Sequence, residues 1–421
     1  MRRAISPFAS SLAALLAGLV LGLILRSAAP LPLSLLATAG VWLGGAWLAL
    51  LSLLAVPVSA ACLLAAVGTT ARTVSVGRLL GSAVTAIVVA MVATGVLTIA
   101  TLQPLLSWTI VPLGPGAVAA GDAAAGTPAG GGVAALLSAA SLAAPLTRRF
   151  LPLLLATAAA GLLLARARGA VADRTRQIVA TVSERLLGLV RLLMRALPAG
   201  LFAIGVAYGE SLGWQTAGIL GQFNVVACAA LFLATVALYP VVAVLGRTAP
   251  AAFARAVWPA QVVAVSTRSS IAALPAMLEG GQAHLALNPT GRAVLPVATS
   301  IFKLNRAVSA TAKLVFVAHV YGVPLGPATI ATFLATVIVQ SFGALGVPGG
   351  GSAFKTLPAY LAAGLPVEVI VMLEAAEPAT DVFKTLLNVT ADLALATVLG
   401  RLASAPAPAP AGVPVAFPSE G

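Results

Sequence analysis

The chain is short of charge. Only 8% of its 421 residues are Asp, Glu, Lys or Arg, while 60% are hydrophobic and the mean hydropathy is +1.06. A soluble protein carries roughly 25% charged residues, so this one cannot clothe a folded surface in water, and most of its solvent is lipid. Soluble enzymes, secreted disulfide scaffolds and coiled coils are thereby excluded. Cysteine is nearly absent: Cys62 and Cys228 each lie inside an apolar run, read as packing residues, and are too few for a disulfide framework or metal site. The two histidines, His284 and His319, have no His or Cys neighbour at metal-ligand spacing, which removes the commonest catalytic metal sites. Acidic residues are also scarce, 11 against 24 basic ones, for a net charge of +13. No basic run is interleaved with aromatics, so nucleic acid is not the expected partner; in a membrane protein such an excess reports Lys and Arg in cytoplasmic loops.

What is abundant is apolar sequence, with room for about eight long spans of about 20 residues plus shorter pieces. Runs cover Ser10 to Leu25, Leu35 to Val67 with a break at Pro57, Arg78 to Leu106, Val133 to Leu164 with a break near Pro145, Thr175 to Tyr208, and Ala217 to Leu245. The first resembles a signal peptide, but its bracketing arginines and the spans that follow favour a retained helix. The Gly/Ala/Pro stretch from Gly114 to Gly132 is expected to be a flexible loop. Arginines recur after every second crossing, at Arg2/Arg3, Arg72/Arg78, Arg166–Arg176 and Arg247/Arg255, whereas the alternate connections are nearly free of bases. That alternation places the N-terminus in the cytoplasm. The Ala-Pro tail after Ala403 reads as extended and disordered.

The last third differs in kind. Two apolar segments are interrupted by small and hydroxyl residues: Val263 to Ala276, with the tip Ser266-Thr267-Arg268-Ser269-Ser270, and Ile330 to Leu365, with the tip Gly346 to Ser352. Each precedes a long helical pattern, Asn288 to Tyr321 and Val367 to Leu402. Non-helical backbone at membrane depth persists only where protein or a water-filled cavity satisfies it, and two such breaks in corresponding positions point to a transporter's binding site. The second long pattern carries Glu374, Glu377, Asp381, Lys384, Thr385, Asn388 and Asp392 at spacings of 3, 4, 3, 1, 3 and 4. On one helix these share a face roughly 100° wide. Ionisable groups in a span face a cavity or a partner. Four acids and one lysine leave the stripe at −3, and Arg268, Lys303 and Arg306 would balance it, with Lys313 in excess.

These residues carry a resemblance. Asp381-Val-Phe-Lys384-Thr385-Leu-Leu-Asn388-Val-Thr-Ala-Asp392 is similar to the D-x-x-R-T-x-x-N-V-T-G-D helix of the dicarboxylate/amino acid:cation symporter family, the glutamate-transporter homologues. Thr267-Arg268-Ser269-Ser270 with Leu274-Pro275, and Gly346-Val347-Pro348-Gly349-Gly350-Gly351, resemble the tips of that family's two re-entrant hairpins. Fainter echoes are Ala55-Val56-Pro57 and Arg195 to Ala203. The resemblance implies an all-α integral membrane fold of about eight transmembrane helices plus two re-entrant helical hairpins in inverted repeats. It also implies a homotrimer with an elevator-type moving domain. The implied organisation is scaffold helices 1–3 in 1–110 (helix 3 shared with the moving domain), an extracellular loop in 111–132, helices 4–6 in 133–248, the transport core in 249–403 and a tail in 404–421.

Carried over position by position, Asp381 would hold a substrate amino group. Lys384 would replace the arginine that takes a side-chain carboxylate. Thr385 and Asn388 would contact the substrate backbone, with Arg268, Ser269, Ser270, Val347 and Gly349 at the closing tips. Asn388 and Asp392 would belong to a cation site. Where the family has N-M-D-G-T, this chain reads Phe302-Lys303-Leu304-Asn305-Arg306. Phe302 and Leu304 offer no side-chain oxygen to sodium, a hard cation. On the third span, Ile87, Ala90 and Met91 fall where another sodium site has hydroxyls. A tethered cation, Lys303 or Arg306, is expected to stand in for sodium beside Asp392.

The expected function is therefore secondary transport of C4-dicarboxylates or acidic amino acids, not catalysis. The coupling ion would be Na+, H+ or none, with Glu374 or Glu377 as proton carriers. The chain would sit in a bacterial inner membrane with both termini in the cytoplasm. An anion channel or a transport-inactive scaffold of the same fold is the alternative.

Overall fold

A computed structural model of the chain describes residues 7–27, scattered positions between 43 and 50, 53–65 and 67, 77–109, 150–211, 213–342 and 352–403. The expected loop at 111–132, the second tip with Val347 and Gly349, and the tail lie outside the described residues. Those described form helices and short connections, with no strand among them. The helices are α1 (Pro7–Ser27), α2 (Leu53–Ala65), α3 (Gly77–Thr109), α4 (Phe150–Arg166), α5 (Ala170–Arg195), α6 (Leu197–Ser211) and α7 (Trp214–Leu245). After these come α8 (Pro250–Thr267), α9 (Leu274–Leu285), α10 (Pro289–Ile301), α11 (Leu304–Val320), α12 (Pro327–Phe342), α13 (Ser352–Ala362), α14 (Val367–Ala375) and α15 (Pro378–Ala403).

Three stretches, Gly81–Ser107, Trp214–Leu245 and Thr380–Ala403, are each long and apolar enough to cross a membrane; α5 and α6, bent by 50°, make a fourth if they form one span. The run from Thr175 to Tyr208 is thus two helices. Outward apolar side chains such as Val225 (71% exposed) and Val244 (72%) on α7 belong in acyl chains.

Two groups of helices emerge. In one, α1 packs chiefly on α6, and four glycines explain the closeness. A Cβ on Gly18 would lie 2.2 Å from the Phe202 carbonyl oxygen and one on Gly22 2.3 Å from that of Val206. From the other side, Gly205 and Gly209 would meet Leu15 O at 2.6 Å and Leu19 O at 2.5 Å. Gly18-x-x-x-Gly22 faces Gly205-x-x-x-Gly209, small residues at helical spacing that let two backbones touch in lipid.

The second group is α3, α7 and α8–α15. Here α8 and α9 form a helical hairpin, turned by Arg268 in the left-handed region (φ 53°) and sealed where Gly280 abuts the Ala256 carbonyl. Helices α12 and α13 pair in the same way, with the Phe333 and Tyr360 ring centroids 5.1 Å apart. Each hairpin is followed by a helix broken near its middle, α10/α11 and α14/α15. At the heart, α11 and α15 are buried along nearly their whole lengths, as suits helices surrounded by protein rather than lipid.

Both breaks correct the reading of two continuous helices. The second has a plain cause: Pro378 lacks an N–H for the Glu374 carbonyl and drives Glu377 out of helical geometry. The first contains neither glycine nor proline, and side chains hold it open. In an unbroken helix Thr299 C=O would accept from Lys303 N–H and Ile301 C=O from Asn305 N–H. Instead the Lys303 ammonium donates to Thr299 O (2.5 Å), and Asn305 N–H donates to Asn388 Oδ1 of α15 (3.2 Å).

Candidate functional site

The two breaks and the hairpins converge. Around the first break, Lys303 Nζ also donates to Ser270 Oγ at the α8–α9 turn (3.1 Å). Near it is Asp392, fully buried on α15, which has Lys303 as its principal opposite charge. The pair makes no ion-pair contact, and the Thr299 side chain stands beside the Asp392 carboxyl. Phe302 and Leu304 are buried and present only carbon there. Ser270, Lys303, Asn388 and Asp392 are therefore brought into one neighbourhood.

Around the second break lies a chain of charges. Lys313 of α11 pairs with Glu374 at the end of α14 and, at 2.9 Å, with Glu377 Oε1 in the break. Lys384 of α15 pairs with the other Glu377 oxygen and stands 3.8 Å from Asp381 Oδ1. Lys313 also lies 5.7 Å from the centroid of the Phe223 ring, within cation–π reach. Glu377 and Lys313 side chains are each 3% exposed, Lys384 13% and Asp381 43%. Lys313 is thus the cation that answers the acidic stripe. Arg268 is exposed at the hairpin turn and makes no ion pair among the described residues. The sequence pointed to Lys313 as surplus because a stripe on one continuous helix hides the bend that aims Glu374 and Glu377 at α11.

Between the two regions is a cavity of about 140 Å³. Its wall includes Lys303, Arg306, Lys313 and Lys384, the carboxylate Glu374, and the amide Gln340 of α12. Four cations and one acid face a space open to a small solute. Tyr360 of α13 closes one side, its hydroxyl donating to Ala310 O at 3.2 Å. Asp381 and Thr385 lie on the same helix as Lys384 but not in this wall; the Thr385 hydroxyl donates to Asp381 O (2.9 Å). At the α8–α9 turn, Ser269 Oγ accepts from Ala272 N–H (3.2 Å).

A membrane-embedded bundle with paired hairpins, paired helix breaks and a charged cavity where they meet is the architecture of a solute transporter. The chain belongs to the sodium:dicarboxylate symporter family, whose profile matches residues 8–402. It is 29% identical over 246 residues to an "uncharacterized symporter" of Haemophilus influenzae, covering 58% of this chain and 56% of that one. It is 28% identical over 238 residues to the "L-cystine uptake protein TcyP" of Bacillus thuringiensis (55% and 51%) and 25% identical over 245 residues to that of Bacillus licheniformis (55% and 50%). The matched stretch spans about half the length of each relative. The family and these relatives are symporters and uptake proteins rather than enzymes, and the all-helical membrane architecture of the chain is the glutamate-transporter fold of that family.

Proposed function

We propose that the chain is a secondary transporter of small carboxylates, C4-dicarboxylates or acidic amino acids, whose usual sodium is replaced by a cation of its own. The observation that carries the reading is the Lys303 ammonium, anchored to Thr299 O and Ser270 Oγ and set opposite the buried Asp392. A sodium ion needs a shell of oxygen ligands. Here Asn388 Oδ1 is committed to Asn305 N–H, and the flanking Phe302 and Leu304 supply none, so the donor set does not suit sodium. A tethered charge is not released in each cycle, and transport is then independent of the sodium gradient. It is uncoupled, or coupled to protons through Glu374, the carboxylate that lines the cavity.

In this reading α8–α15, with α3 and α7, move as an elevator against α1, α2, α4, α5 and α6. The two hairpins enter the membrane without crossing it, and the chain works as a homotrimer in the cell membrane with its termini in the cytoplasm. Asp381, Thr385 and Asn388, which stand outside the cavity wall, are further solute contacts in this proposal. Ser269, Ser270, Val347 and Gly349 close over it. L-Cystine, which also bears two carboxylates, is a further solute to test because relatives are named for its uptake.

Uptake of labelled L-aspartate, succinate and L-cystine into proteoliposomes decides the matter. Accumulation that is equal with sodium or choline outside is expected. Strict sodium dependence would overturn the tethered-cation mechanism. A chloride-following current with no saturable uptake would make the protein a channel, and neither signal would leave a scaffold.

A further inference from the structure

Resting on the transporter reading, we propose that the substrate carboxylate is received by Arg306, on the first turn of α11, and not by Lys384 on α15. Charge accounting within the site leads there. Lys384 Nζ is taken up by Glu377 and leans on Asp381. Lys313 is taken up by Glu374 and Glu377, so these two lysines and two glutamates cancel, and the one further acid beside them is Asp381, 43% exposed and outside the cavity wall. Lys303 gives its protons to Thr299 and Ser270 and its charge to Asp392.

Arg306 alone among the four cations in the cavity wall has no ion pair or hydrogen bond to a side chain among the described residues. A guanidinium left unpaired within a membrane-embedded wall is costly unless something anionic joins it. Its planar fork matches a carboxylate bidentately, which a lysine ammonium does not. The backbone supports the placement. Asn388 caps α11 from across the break, fixing the first turn, and the positive end of the helix dipole lies at the same place. The acceptor is a single carboxylate group of the solute; a small inorganic anion has the same charge, and the experiment separates the two.

The protein is purified at full length in detergent, and the binding of succinate and L-aspartate is measured by thermal shift and calorimetry. Arg306→Gln is expected to weaken both by about 10- to 100-fold, the loss of one charge-assisted contact. Arg306→Lys is expected to restore part of it. Lys384→Gln is expected to change affinity by less than about 3-fold. Without ligand, Arg306→Gln is expected to melt no lower than the wild type, because the arginine supports no neighbour; a structural arginine would show a fall.

Chloride is titrated alone and against succinate. Competition is expected. Chloride stabilisation that leaves succinate affinity unchanged would assign Arg306 to an inorganic anion and overturn the proposal. If the wild type takes up solute while Arg306→Gln binds it normally and Lys384→Gln does not, only the Arg306 assignment fails. If no carboxylate is bound or taken up, the transporter reading itself fails.

Discussion

Lys303 does two jobs that a sequence displays only as one positive charge. It holds the helix break open by taking the Thr299 carbonyl, and it stands near Asp392. Removing one partner of a buried charge pair leaves the other stranded, typically a loss of about 3–5 kcal/mol, whereas removing both is far milder. Lys303→Met is therefore expected to lower stability by that amount, with Lys303→Met/Asp392→Asn recovering most of it in denaturant unfolding. Lys303→Ala tests the substitution of lysine for sodium more directly. It vacates both the space and the charge, so its melting temperature is expected to rise in NaCl relative to choline chloride, while the wild type responds equally to the two salts. A wild type stabilised specifically by sodium would defeat the idea. The replacement of the family's N-M-D-G-T was legible from residue types alone. That Lys303 has partners while Arg306 has no side-chain partner among the described residues was not, because they sit three residues apart and only folding separates their surroundings.

At the level of elements, the hairpins and the acidic stripe could be read from the chain, and the breaks could not. The polar spacing runs unbroken through Ala376 and Glu377, so helical periodicity overrode the signal of Pro378. The break at Phe302–Lys303 bears no glycine or proline; it is held by the Lys303 ammonium and by the Asn388 amide oxygen, 83 residues from the Asn305 it accepts from. The α1–α6 contact is different. Gly18/Gly22 and Gly205/Gly209 are a readable small-residue pattern that hydropathy averaging conceals. A side chain at any of them collides with opposing backbone, which cannot step aside. Gly18→Val or Gly205→Val is expected to lower the melting temperature sharply and to broaden the size-exclusion peak. Gly81→Ala is the control: in α3 a Cβ there meets nothing within 4 Å. A helix gains roughly 0.5–1 kcal/mol from such a change, so Gly81→Ala is expected to be neutral or stabilising in the same measurement.

On the scale of the whole molecule, the proposed elevator would require the two helix groups to slide past each other. Their shared border includes a small apolar seam where Val339 of α12 packs against a cluster formed by Phe150 and Leu154 of α4 with Val56 and Leu63 of α2. Oily surfaces suit sliding, and among the described residues no ion pair joins α4 to α12, so no charge there must be uncovered as they move. Fixing that seam should stop the cycle, whereas fixing two helices within one group should not. After Cys62 and Cys228 are replaced by serine, Phe150→Cys/Val339→Cys is bridged with mercury. Uptake is expected to fall to background and to return on adding excess thiol. A matched pair inside the hairpin group, Tyr239→Cys/Phe253→Cys of α7 and α8, whose rings lie 5.3 Å apart, is expected to keep substantial uptake when bridged. Full uptake across a bridged α4–α12 seam would mean that the border does not move. Access would then have to alternate by opening the hairpins alone, with Lys303 and Arg306 stationary relative to the scaffold.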